Sequence, residues 1–304
     1  MIELSTKVIS PIALTDAILI SSTAPETDYA VWAAATAYTL GQKCIRVSTH
    51  RIYERLIAGT TATPPETDPT NWLDIGPTNR WAMFDNVVGT ATTITTPLTV
   101  VLKPGSISGL ALLELVGKTA TITMKESTGG AVAYNKVVTL DGTIITSFYD
   151  WFYTPYAQEE SVALTDLPFH FPNCELTVSI SSTSGSVSCG VCKFGEVIGI
   201  GATEYGATSG AIDYSVKTVD AFGRYTIVKR GYSKKMSLKV ITEQVDYPRI
   251  SRALADLRAT PAVWIATDVY GYEPLTVYGF YKEFSIEVAY PTMNYCSLEI
   301  EGLI

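Results

Sequence analysis

The chain has 304 residues, 47% of them hydrophobic and only 17% charged, with 22 Lys and Arg against 30 Asp and Glu. That length accommodates two or three domains with cores of their own, and the composition excludes a disordered chain. A formal net charge of −8 repels phosphate, which weighs against DNA or RNA as a direct partner of most of the surface.

In place of charge the sequence carries Thr, Ser, Gly and Tyr, the usage of β-rich proteins with many turns. Five cysteines give an odd count and no disulfide framework. Residues 1–10 include Glu3 and Lys7 with no sustained apolar core after them, so no secretory leader is expected. No run approaches the ~20 apolar residues that span a bilayer, and no membrane insertion is expected.

Residues 1–27 read as a lead-in strand pair, Val8-Ile9 and then Ala17-Ile18-Leu19-Ile20, ending in the polar turn Ser21-Ser22-Thr23-Ala24-Pro25. Residues 28–85 form a separate module. Trp32, Tyr38, Tyr53, Trp72 and Trp81 are spread over a turn-rich segment with few aliphatic runs, which must pack on a few aromatic rings. Trp32 comes first, then Tyr38-Thr39-Leu40-Gly41-Gln42, a strand at 44–47, a second at 52–56, a Pro64-Pro65 loop and Trp72.

This order resembles the small chitin- and cellulose-binding modules of carbohydrate-binding families 5 and 12, the chitin-binding type 3 pattern. It departs from that pattern at Gln42, where an acid is usual, and at Arg51-Ile52, where a Gly-Lys-like turn is usual. The resemblance implies sugar contact through Trp32, Tyr53 and Trp72, because pyranose CH faces stack on exposed aromatic faces. Tyr38 and Trp81 are taken as core and linker-packing rings.

Residues 86–201 alternate strand-like runs with turn signals and indicate a central antiparallel sandwich or jelly roll. Asp141-Gly142 reads as a hairpin turn pair. Phe148-Tyr149-Asp150-Trp151-Phe152-Tyr153 is either a binding loop at the end of the sandwich or a buried corner, and the corner is the stronger expectation.

In residues 202–304, strands are expected near 225–227 and 236–240. Residues 248–258 are the one convincing helix: Ile250, Leu254 and Leu257 make an apolar stripe, Pro248 suits the first turn, and Pro261 forbids continuation. Strands at 262–266, 275–290 and 295–300 follow. Glu283, Glu287, Glu299 and Glu301 share a face opposite Cys296, Leu298 and Ile300, which predicts an acidic surface.

The helix 248–258, Pro261-Ala262-Val263-Trp264-Ile265 and Val277-Tyr278-Gly279-Phe280-Tyr281-Lys282-Glu283-Phe284 resemble the β-barrel of phage tail-tube and distal-tail proteins. Together with the module, the resemblance implies an all-β structural protein of a tail tip or baseplate in a virion. Its partners would be copies of itself in a ring, other tail proteins and host surface glycan. An acidic inner face would suit a conduit for DNA by repelling the polyanion.

Catalytic signals are weak. Cys189-Gly190-Val191-Cys192 lies in strand-like sequence that would send its sulfurs to opposite faces, so buried structural thiols are expected and not a metal or redox pair. His170 sits in an apolar loop and reads as packed. Asp150, Glu159, Glu160 and Asp166 could serve a glycoside hydrolase only if the fold pairs them. The glycine-rich 195–201 lacks the helix of a phosphate loop. No enzyme activity, cofactor or metal is expected; the rival readings are a glycan-active hydrolase and a free-standing lectin-like adhesin.

Overall fold

The computed structural model describes residues 4–220, 222–269 and 271–303. Residues 1–3, 221, 270 and 304, within the expected lead-in and C-terminal segments, lie outside that description. Strands make up 48% of the chain and helices 9%, so the all-β class read from the composition is the class adopted.

The lead-in carries β1 (Ser5–Pro11) and β2 (Leu19–Ser22). The module carries β3 (Ala37–Tyr38), β4 (Lys43–Arg46), β5 (Arg51–Arg55), β6 (Gly59–Thr60) and β7 (Trp72–Pro77). Then come β8 (Thr92–Thr95), β9 (Leu98–Leu102), β10 (Gly109–Leu113), β11 (Thr119–Lys125) and β12 (Val132–Thr139), followed by the short helix α1 (Phe148–Tyr153). Next are β13 (Ser161–Leu164), β14 (Glu175–Ser181), β15 (Ser186–Cys189), β16 (Val191–Thr203), β17 (Thr208–Asp213), β18 (Val216–Val219), β19 (Tyr225–Val228) and β20 (Tyr232–Glu243). The helix α2 (Tyr247–Asp256) precedes β21 (Ala262–Ile265), β22 (Thr276–Glu287) and β23 (Met293–Gly302).

The largest sheet has nine strands in the order β13-β10-β16-β1-β21-β22-β23-β20-β17, and β20 also pairs with β16. That second pairing closes a circuit of six strands: β16, β1, β21, β22, β23 and β20. The 13-residue β16 is its spine. Its start pairs with β10, its middle with β1, and Ala202 and Thr203 pair with Ile241 and Val240 of β20.

Two glycines permit these changes of partner. A Cβ on Gly195 would lie 1.7 Å from the Ser10 carbonyl oxygen, where β16 passes from β10 to β1. Gly201 has a φ of +147°, and a Cβ there would meet the Ile241 carbonyl oxygen at 2.3 Å. A side chain at either position would push the strands apart. Thus the glycine-rich stretch 195–201 is strand, and Gly195 and Gly201 serve strand contact.

Val8, Ile200, Met236, Leu238, Val240, Trp264, Leu298 and Ile300 fill the circuit, and Ile250, Leu254 and Leu257 of the α2 segment pack into the same core. The helix begins one residue before the expected 248–258 and ends at Asp256; Leu257 continues its buried stripe from the C-cap. Trp264 Nε1 donates to the Gly279 carbonyl at 3.1 Å, satisfying the one polar atom of a fully buried ring.

A five-stranded sheet, β12-β11-β14-β9-β2, packs over the β13-β10-β16 end of the large sheet. Ile122, Met124, Leu176, Val178, Ile180 and Val100 face Leu110, Leu112, Val162 and Phe194 across that core. β11 and β14 alternate buried and half-buried residues along their whole length, the period of a strand with one covered face. Both cores therefore share β16, and the boundary expected between residues 201 and 202 falls inside that strand. The lead-in strands pair with different partners: β1 joins β16 and β21, and β2 joins β9.

Four local readings are corrected. Asp141-Gly142 is not a two-residue hairpin turn: Asp141 bridges Gln158, and residues 142–157 leave the sheet between them. The reason is that the next strand, β13, finds its partner in β10, on the other sheet. Residues 148–153 are not a buried corner, because no residue of α1 is buried. Cys189 and Cys192 lie in one core, because the chain breaks at Gly190 between β15 and β16 and its N–H bonds back to the Leu113 and Glu114 carbonyls. His170 is exposed.

Candidate functional site

The module holds two small sheets, β3-β6 and β4-β5-β7, around Tyr38, Cys44, Tyr53 and Trp72, with Trp32 packed against them. Its two ends meet: the Asn79 N–H donates to the Asp28 carboxylate at 3.2 Å and the Thr78 hydroxyl to Glu26 at 3.1 Å. His50, in the left-handed region at φ +55°, stacks on Trp81 at 3.9 Å and 17°. Its ring nitrogens each lie 2.9 Å from a carboxylate oxygen, of Glu26 and of Asp16. Trp81 thus packs the neck of the module, as its linker assignment expected.

Tyr53 and Trp72 are 5% and 2% exposed, and Tyr38 meets Trp72 edge-on at 4.9 Å. The guanidinium of Arg55, itself buried, stands 4.9 Å from the centre of the Trp72 ring. Neither Tyr53 nor Trp72 offers a face to a sugar. A fold this small needs its largest rings for its own core, and that need overrides the stacking role implied for both.

Trp32 is the one member of the expected trio that is half-buried. Arg46 covers its ring at 4.8 Å and is held there by two hydrogen bonds to Glu66, at 3.0 and 2.6 Å. Those bonds keep the Glu66 carboxyl below its ordinary range. Tyr29, which the family pattern does not include, is an exposed module ring, with Lys43 5.8 Å from its centre.

Lys193 fixes residues 84–86, where the module ends, to β16. Its buried ammonium donates to the Phe84 and Asp85 carbonyls at 2.9 and 2.8 Å and to Asn86 Oδ1 at 2.9 Å. Burial pulls its pKa down. Tyr278 donates to the same Asn86 oxygen at 3.0 Å.

Three of the four carboxylates considered for hydrolysis have other partners. Asp150, in the first turn of α1, accepts from Thr146 N–H and Oγ1 just before the helix, at 3.1 and 2.6 Å. Asp166 accepts from the Tyr134 hydroxyl at 2.8 Å and from Lys136 at 3.4 Å, and Glu159 accepts from Ser161 at 3.1 Å. Among the described residues, every carboxyl with a displaced ionisation (Glu66, Asp141, Asp150 and Asp213) is displaced downward, the direction that keeps it charged. Among the described residues no group of three or more His, Cys, Asp or Glu is placed to hold a metal ion.

Two features stand out from the packed body. The first is the hairpin β18–β19, whose strands pair with each other. All four residues of β19 are exposed, as are Val219 and Phe222. Residues 214–231 carry Lys217, Arg224, Lys229 and Arg230 against the single acid Asp220. The second is α1, where Phe148, Tyr149, Trp151, Phe152 and Tyr153 are 68–90% exposed. The sequence signals for both were visible as apolar residues without a complementary run, but periodicity does not say which strand lacks a cover.

The four glutamates lie on the outward side of the circuit. Glu283 sits directly opposite Glu299, and Glu301 opposite Lys235. Lys235 and Lys239 of β20 share that side, so the face is acidic on β22 and β23 and basic along β20. Comparison with protein-family models, with curated proteins and with solved structures gives no match.

Proposed function

We propose that this chain is a structural, self-assembling component of a phage tail tip or baseplate, built to dock onto copies of itself and onto neighbouring tail proteins. The observation that carries the reading is the hairpin β18–β19. A two-stranded hairpin exposed on both faces is marginal in water, so its order calls for a neighbour. Its four basic side chains complement the glutamates on the outward side of β22 and β23.

An arm that reaches a different surface of the next copy makes a heterologous contact, which closes into a ring when the rotation allows. The six-strand circuit with its flanking helix supports the likeness to tail-tube and distal-tail barrels. The adhesin reading rests on Trp32 and Tyr29 alone. The hydrolase reading gains nothing from carboxyls held in their charged form, since a glycosidic acid needs the opposite shift.

The test is charge reversal of the arm, Lys217→Glu with Arg224→Glu, in the full chain. The wild type should associate at low salt and lose that association as salt rises. The variant should remain monomeric at both salt levels. Equal assembly of variant and wild type would remove the arm from the account.

A further inference from the structure

The excursion between Asp141 and Gln158 is built as a separate tip. Gly142 N–H donates to the Ala157 carbonyl at 2.9 Å, Ala157 N–H to Thr143 Oγ1 at 3.0 Å, and the Tyr156 hydroxyl to the Leu140 carbonyl at 2.6 Å. These bonds close its base. Beyond them α1 has no buried residue, and Phe148 is 90% exposed.

At 100° per residue, the five rings of α1 sweep an arc of roughly 200°, with Asp150 on the remaining side. A helix that docks into a protein groove presents a stripe of about 100°. An arc twice as wide suits a medium that surrounds the helix. The rings are Trp, Tyr and Phe, the types that settle at headgroup depth in a bilayer.

The backbone is prepared for dehydration. Ser147 Oγ accepts from Asp150 N–H at 3.2 Å, Asp150 accepts from Thr146 N–H, and Trp151 and Thr154 N–H bond within the helix at 3.1 and 2.8 Å. Donors already satisfied lower the cost of leaving water. Residues 141–160 contain Asp141, Asp150, Glu159 and Glu160 and no Lys or Arg, so attraction to anionic lipid plays no part.

We infer that the tip at residues 142–157 is an interfacial anchor for a zwitterionic phospholipid surface, immersing the rings of α1 among the headgroups. This stands apart from the tail reading and holds whether or not the chain forms a ring. Among the described residues no helix is long and apolar enough to cross a membrane. Six residues of helix reach about 9 Å, the depth of an interfacial element.

The experiment is flotation of the full chain with neutral phosphatidylcholine vesicles, beside a Trp151→Ser/Phe152→Ser variant and a Tyr205→Ser control at another exposed ring. The substituted tip residues are exposed, so the variant should fold, which its near-ultraviolet circular dichroism checks. The wild type and the control should float, and the double variant should partition roughly tenfold less or weaker still. Brominated phosphatidylcholine should quench the wild type and spare Trp151→Phe, which still floats. Failure of the wild type to float, equal flotation of the double variant, or an equal loss in the control would overturn the inference. So would self-association without lipid that vanishes in the double variant, which would make the tip a protein contact.

Discussion

Cys44, Cys174, Cys189, Cys192 and Cys296 are all buried as free thiols. Burial pushes Cys44, Cys174 and Cys296 up from 9.0 to about 11 and Cys192 to about 12, and it raises Cys189 as well. Above pH 9.0 the unfolded chain gives up these protons while the folded chain keeps them, so the unfolded state gains. The thiol contribution is complete below pH 9.0 and is lost as pH rises through about 11. Lys193 has the opposite sign, since its lowered pKa makes the folded state shed its proton first, but it is one group against five. The denaturant midpoint should therefore fall steadily between pH 9 and 11. A thiol reagent should find no native target at neutral pH, and a promptly labelled native cysteine would contradict the burial.

The module rings give a second test. Removing Trp72 (Trp72→Ala) should cost about 3–5 kcal/mol of local stability, as for other buried large-to-small changes. Trp32→Ala should cost about 1 kcal/mol, since its ring is half-buried beneath Arg46. Hydrogen exchange over residues 37–77 in the full chain reads both, and equal effects would mean that Trp32 is as much core as Trp72. The aromatic order was legible in the sequence. Which ring faces outward was not, because Trp32, Tyr53 and Trp72 differ only in what the rest of the module lays over them.

Among the elements, β16 bears the most constraint, touching β10, β1 and β20 in turn. Gly195→Ala should be strongly destabilising, because its Cβ would overlap a backbone carbonyl that no rotamer change can move. Gly199, with nothing within 4 Å of its Cβ position, should accept Ala with little change. Thermal unfolding of the pair decides it, and similar melting temperatures would contradict the close approach. The sequence showed these glycines and lacked the helix of a phosphate loop after them, but their role was not legible, since contact between distant strands leaves no local pattern. The α2 segment was legible from its stripe and its prolines. The turn at Asp141-Gly142 was misread because turn chemistry is local, while the partner of β13 lies 50 residues upstream of it in β10.

Taken whole, the molecule has two of its cores hung on one strand, with the ends of the module joined to each other at residues 26–28 and 78–79 and with the basic hairpin and the aromatic tip left uncovered. The strand content and the alternating faces were readable in advance. The closing pair Thr203–Val240 was not, because its two residues are brought together only by everything between them. The aromatic segment 148–153 was visible as sequence, but its exposure depends on β13 leaving for another sheet.

The central claim is self-assembly into a ring. Negative-stain imaging of the purified full chain, at a concentration where mass photometry shows the highest assembly, tests it most directly. The account predicts closed rings of uniform subunit number with an open centre. A monomer under all conditions, or open filaments and irregular clusters in place of rings, would contradict it.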